Sequence, residues 1–159
     1  MTKKEFSERV IELEKSLYYT AKTILKNDDD CADAVQDALL AAYKKLSTLK
    51  REEYFKTWIT RILINRCKSM ARSRRYHEDI DTLGETSQAE SGLGLQEIVM
   101  EINALDVKPR LPFVLYYSEG FTVCEISQIL KISESNVKVR LHRARQALQQ
   151  RIGGIDYEA

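Results

Sequence analysis

Along most of this chain apolar residues recur at helical spacing, but across residues 80–94 (IDTLGETSQAESGLG) the recurrence stops. Gly, Ser, Thr and acidic residues with few large apolar side chains cannot repay the entropy of ordering, so this stretch reads as a linker. Two helical halves therefore each have to bury their own core. A chain of 159 residues allows one large domain or two small ones, and the break selects two. The expected architecture is all-α: helical domains over residues 1–77 and 95–152, a flexible acidic linker over 78–94, and a short tail over 153–159.

In the first half Phe6, Val10, Leu13, Leu17, Ala21 and Ile24 mark one face of a long helix. The run Asn27-Asp28-Asp29-Asp30 stops it and can cap the next, because short polar side chains accept hydrogen bonds from free N–H groups. A second helix is predicted from about residue 30 to 46, with Val35, Ala38, Leu39, Ala42 and Leu46 inward. A third is predicted from near Glu53 to about Arg74, burying Phe55, Ile59, Ile62, Leu63 and Met70. Connections this short favour packing of neighbours into a bundle. Beyond the linker, Leu95, Ile98, Val99, Ile102 and Leu105 resume the pattern, a helix follows over about 109–119, and Gly120 breaks it.

Composition excludes several classes of protein. With 43% hydrophobic and 31% charged residues the chain reads as a soluble folded protein. It holds no apolar run long enough for a membrane span, and the start MTKKEFSERV lacks an apolar signal core, which places it in the cytoplasm. Cys31, Cys67 and Cys124 are odd in number and isolated, so they read as reduced thiols in the core and not as disulfides or zinc ligands. No cofactor or metal site is expected.

The net charge of +1 hides segregation. Residues 56–77 carry seven Lys or Arg and no acid; residues 78–107 carry eight acids and no base; residues 131–151 carry six bases against Glu134. The last basic stretch belongs to two short amphipathic helices between 122 and 148. Glu125, Ile126, Ile129 and Leu130 form the inner stripe of the first, Lys131-Ile132-Ser133 makes the turn, and Ser133 can cap the second. In the second, Val137, Leu141, Ala144 and Leu148 point inward while Lys138, Arg140, Arg143 and Arg145 point outward. That is a helix-turn-helix with a basic recognition helix, whose cations can reach guanine edges or phosphates in a major groove. Lys131 stands where many such turns carry Gly, and Ser127 where a small apolar residue is usual.

The other basic stretch, REEYFKTWITRILINRCKSMARSRRY over 51–76, sets aromatics ahead of cations on one helix. Stacking faces followed by phosphate-holding charges suit single-stranded or melting DNA. Tyr54, Phe55 and Trp58 equally fit core positions, and the 72–75 cations equally fit a helix C-terminus. Asp33, Gln36 and Asp37 fall at i, i+3, i+4 and share one face, which on its own reads as solvated.

Three motifs in order carry a resemblance: ADAVQDA over 32–38, TWITRILIN over 57–65 and VKVRLHRAR over 137–145. Together they resemble bacterial sigma factors, specifically the small two-domain members of the extracytoplasmic-function group, over nearly the whole chain. The resemblance implies a non-catalytic subunit that binds core RNA polymerase and directs initiation at promoters. It implies that Asp33, Gln36, Asp37 and Leu40 grip the β′ clamp helices, with the β flap as a second polymerase contact. It assigns Trp58, Arg61, Asn65, Arg66, Lys68 and Arg72 to melting and reading the −10 element, Asn65 near the pocket for a flipped-out base. Ser135, Asn136, Lys138, Val139, Arg140, His142 and Arg143 fall to the −35 duplex. It also implies an anti-sigma partner, in many members tethered to the membrane. Departures are Cys31-Ala32 in place of the commoner Ala-Glu, and Val139 where many members are polar.

Two other readings compete. A conventional helix-turn-helix repressor or activator would bind palindromic duplex without polymerase, but the chain lacks a dimerising heptad and leaves the 56–77 cations unexplained. A metal-dependent hydrolase would use the carboxylates between Asp28 and Asp37, yet His77 and His142 have no partner at ligand spacing.

Overall fold

The computed structural model describes residues 1–78 and 95–152. The chain divides into two compact units, Met1–Ser87 and Gln88–Ala159, and every regular element among the described residues is helical. The expected linker core (79–94) and tail (153–159) lie outside the described residues.

Helix α1 (Lys3–Ile24) opens with a reciprocal cap. The Thr2 hydroxyl accepts from the Glu5 N–H (3.2 Å) and the Glu5 carboxylate accepts from the Thr2 N–H (2.7 Å). Helix α2 (Asp28–Lys44) starts two residues earlier than the sequence suggests, because Asn27 is the cap. Its amide oxygen accepts from the Asp29 and Asp30 N–H groups at 2.8 and 3.4 Å. Three aspartates then occupy the positive end of the helix dipole. Two 3-10 turns, Leu46–Thr48 and Glu52–Tyr54, lead into α3 (Phe55–Glu78), which runs a turn past the expected end near Arg74.

The first core joins Phe6, Leu17, Ala21 and Leu25 to Phe55, Ile59, Leu63 and Cys67. Phe6 sits edge-on to Phe55 and to Tyr43, at 5.8 and 5.6 Å between ring centroids. The α2 contribution is small: Cys31, Ala34, Val35, Ala38 and Ala42 are all buried. Side chains this short let α2 and α3, which pack on each other, approach closely. Val10, Leu13, Ile24, Leu39, Leu46, Ile62 and Met70 cover the core only partly. Ile64, not among the expected core positions, is fully buried.

In the second unit α4 (Leu95–Asn103), α5 (Val107–Tyr117), α6 (Val123–Leu130) and α7 (Glu134–Ile152) bury Leu105, Leu111, Leu115, Phe121, Ile126, Ile129, Val137, Leu141 and Ala144. Pro112 lies within α5. The buried guanidinium of Arg110 donates to the Asn103 and Leu105 carbonyls at 2.8 and 2.9 Å, satisfying groups that the end of α4 leaves open. Gly120 takes a positive φ of 74° at the break after α5.

Candidate nucleic-acid interface

The helix-turn-helix is built from local hydrogen bonds around a buried stripe. Thr122 and Glu125 repeat the reciprocal cap of α1, at 3.1 and 3.0 Å. Glu125 therefore belongs to the helix start and is only half-buried, where the stripe pattern set it among the inner residues. Lys131 ends α6 in the left-handed region (φ 55°, ψ 46°). Its successor Ile132 donates to the Ser127 carbonyl at 3.1 Å. As expected, the Ser133 hydroxyl caps α7, accepting from the Asn136 N–H at 3.0 Å.

On α7, Val137, Leu141 and Ala144 are buried, whereas Leu148, expected inward, is half-buried. Ser135, Asn136, Lys138, Val139, His142 and Arg143 are exposed on the other side. Arg140 is half-buried, and its Nε donates to the Asn136 side-chain oxygen one turn earlier at 3.2 Å. These seven residues thus share one helix whose inner stripe is fixed. Arg145 is exposed but tied back to α5: its Nε donates to the Tyr117 hydroxyl at 2.7 Å and its guanidinium lies 5.6 Å from that ring.

On α3, Trp58, Arg61 and Lys68 are half-buried, and Asn65, Arg66 and Arg72 are exposed. Phe55 is a core residue at 2% exposure, and the Trp58 ring tilts against it at 6.0 Å. The connection before α3 forms a shallow recess of about 320 Å³ lined by Thr48, Leu49, Lys50, Arg51, Tyr54 and Trp58. Asn65 is not among the lining residues. Tyr54, read from the sequence as either a stacking face or a core residue, is exposed here. Thr48, Leu49 and Lys50 were given no role, and a loop flanked by Leu49, Tyr54 and Trp58 with two cations is the signal that could have found the recess.

Asp33, Gln36, Asp37 and Leu40 form one exposed row on α2, Leu40 at 60% exposure. Two ion pairs fasten α3 to α2. Arg66 Nε donates to Asp37 Oδ2 at 2.8 Å, and Arg74 donates to Asp30 Oδ1 at 2.6 Å. Asp30 is nearly buried (7% exposed), so Arg74 neutralises an acid inside the α2–α3 seam and is more than a cation at a helix end. The acids lie two turns apart on α2 and the arginines two turns apart on α3 in reversed order, which fixes the antiparallel register.

Among the described residues no group of three or more His, Cys, Asp or Glu is placed to hold a metal ion, and no helix is long and apolar enough to cross a membrane. Cys31 and Cys67 are buried, and burial pushes their thiols up to about 11 and about 12. Cys124 is exposed, contrary to the core expectation, and Glu134 beside it raises its thiol.

Comparison with known proteins places these elements in a family. The description "Sigma-70 region 2" matches residues 10–76 and "Sigma-70, region 4" matches residues 95–148. The ECF RNA polymerase sigma factor SigM of Mycobacterium tuberculosis is 27% identical over 145 residues, spanning 87% of this chain and 72% of SigM. The ECF RNA polymerase sigma-E factor of Escherichia coli is 29% identical over 142 residues, spanning 77% and 74%. The solved sigma factor RpoE of Bartonella quintana, in complex with the anti-sigma factor NepR, superposes with a TM-score of 0.83 at 26% identity over 96% of this chain and 99% of RpoE. The chain belongs to the extracytoplasmic-function group of the sigma-70 family of RNA polymerase sigma factors.

Proposed function

We propose that this sigma factor, which serves promoter-specific transcription initiation, engages its partners through three surfaces. Asp33, Gln36, Asp37 and Leu40 on α2 dock on the β′ clamp helices of core RNA polymerase. Asn65, Arg61, Arg66, Lys68 and Arg72 with Trp58 on α3 hold the melted −10 strand. Ser135, Asn136, Lys138, Val139, Arg140, His142 and Arg143 on α7 read the −35 duplex. The observation that carries this reading is the sorting of side chains. The α2 row is exposed, and the α7 row is exposed but for half-buried Arg140. On α3 exposed Asn65, Arg66 and Arg72 stand with half-buried Trp58, Arg61 and Lys68, while each helix buries another stripe.

Phosphate contacts position each unit and a few base contacts select the sequence. Individually weak modules gain from being held together on polymerase, since the second contact then forms at high effective concentration. The recess ending at Trp58 is lined by apolar and aromatic Leu49, Tyr54 and Trp58 together with Lys50 and Arg51, a composition suited to an extruded base and its phosphate. No step is catalysed by the chain itself. Because RpoE was solved with NepR, we infer an anti-sigma partner here as well, acting in the cytoplasm. The β flap is the inferred second polymerase contact.

The test is promoter-dependent transcription by core polymerase supplemented with the purified protein. Charge reversal of Asp33 and Asp37 together should abolish transcription while Trp58 fluorescence stays native. Undiminished transcription by that variant removes the α2 docking surface.

A further inference from the structure

The Asp37–Arg66 ion pair joins the docking row to the DNA-holding helix. Both side chains are about half exposed, at 46% and 45%. The second rung differs in kind, because Asp30 is nearly buried and has to keep its partner. An exposed pair carries no such obligation; its formation shifts an equilibrium only about two- to fivefold, small enough to be exchanged for a better partner. Asp37 and Arg66 also line one open recess of about 390 Å³, together with Leu40, Ala41, Lys44 and Lys45. A polymerase side chain seated on Asp37 and Leu40 would therefore stand directly beside the Arg66 guanidinium.

We propose that the Asp37–Arg66 pair is an autoinhibitory contact that polymerase relieves. In the free protein Asp37 holds the Arg66 guanidinium on α2. A cationic side chain of polymerase that docks on Asp37 competes for the same carboxylate and repels Arg66 at short range. Arg66 then turns to a phosphate of the promoter strand. By linkage the effect is reciprocal: DNA that takes Arg66 leaves Asp37 open, and raises polymerase affinity by the same factor. The proposal rests on the docking and −10 roles given above, and extends them to the order in which partners are taken.

The experiment measures fluorescence anisotropy of a labelled single-stranded DNA oligonucleotide of mixed sequence, since a phosphate contact is blind to sequence. In the free full-length protein, Asp37→Asn should tighten binding by about two- to fivefold. Asp33→Asn removes the same charge from the same face, where no ion pair forms among the described residues, and should tighten it less. In an Arg66→Gln background the excess of Asp37→Asn over Asp33→Asn should vanish. With core polymerase bound, Arg66→Gln should cost more DNA affinity than in the free protein. Equal effects of Asp37→Asn and Asp33→Asn, or an excess that survives Arg66→Gln, would overturn the proposal. Failure of the wild-type protein to bind core polymerase would instead overturn the docking role, a result distinguishable from either.

Discussion

Replacing Arg110 with Met keeps a long side chain of similar volume in the second core and removes the guanidinium. In the native protein that group is 7% exposed and donates to two carbonyls, at Asn103 and Leu105. Leu105 is itself 5% exposed, so its carbonyl has little access to replacement water. A hydrogen bond from a charged donor contributes about 1.5–3 kcal/mol, and orphaning a buried carbonyl costs about 1–3 kcal/mol. Relief of the buried charge opposes this; burial already pulls Arg110 below its ordinary pKa. The net cost should be about 2 kcal/mol, or a fall of roughly 8–16 °C in the melting of a unit this small. The assay exploits Trp58, the one tryptophan, which lies in the first unit. Helical circular dichroism of Arg110→Met should show an early step, while the Trp58 fluorescence transition stays in place. Both bonds leave the one nitrogen Nη1, and Arg110→Lys, which keeps a charged donor on a shorter side chain, should fall between. A fall of less than about 3 °C, or an equal shift of the Trp58 transition, would refute the assignment of Arg110 as the clasp of α4.

Lys131→Gly relieves about 1 kcal/mol of left-handed strain at φ 55° and loses about 0.5 kcal/mol to the freer unfolded chain. A second-unit melt raised by roughly 2–4 °C is expected; a lowered one would contradict it. Arg143→Ala should weaken binding of a −35 duplex in holoenzyme by about 1–3 kcal/mol and relax preference at one base pair. Uniform weakening across sequences, seen by competition binding, would make Arg143 a phosphate contact instead. Thiol alkylation followed by mass spectrometry should modify Cys124 first, faster as pH rises. Cys31 and Cys67 are buried, with pKa values of about 11 and about 12, and should react at pH 8 only on unfolding of the first unit.

The helices and the helix-turn-helix were legible because their signals are local. A period of 3.6, Asn27 and Ser133 as caps, and Gly120 as a break all act within a few residues. Even some misreadings had local remedies. Thr122 and Glu125 stand three apart as a reciprocal cap, which accounts for Glu125 better than an apolar stripe does. Cys124 precedes the buried Ile126 by two residues and so falls on the opposite side of α6, whatever the general preference of cysteine for interiors. The extra turn of α3 was not legible in the same way, since Arg74, the residue just before it, is held by Asp30, 44 residues earlier. Likewise the outward rows on α2, α3 and α7 follow from periodicity, but the coupling of Asp37 to Arg66 depends on how two helices meet. The recess at Thr48–Trp58 arises from an irregular connection, where no periodic pattern exists to read.

The stripe of Cys31, Ala34, Ala38 and Ala42 has a consequence for how such a protein can diverge. A bulkier residue at Ala38 would wedge the paired helices apart, and both carboxylates would lose reach to their arginines at once. Interior volume on one side of α2 thus sets the electrostatic character of its other side. The outer residues are therefore free to change one at a time, whereas drift in the alanine stripe would be felt in both ion pairs together.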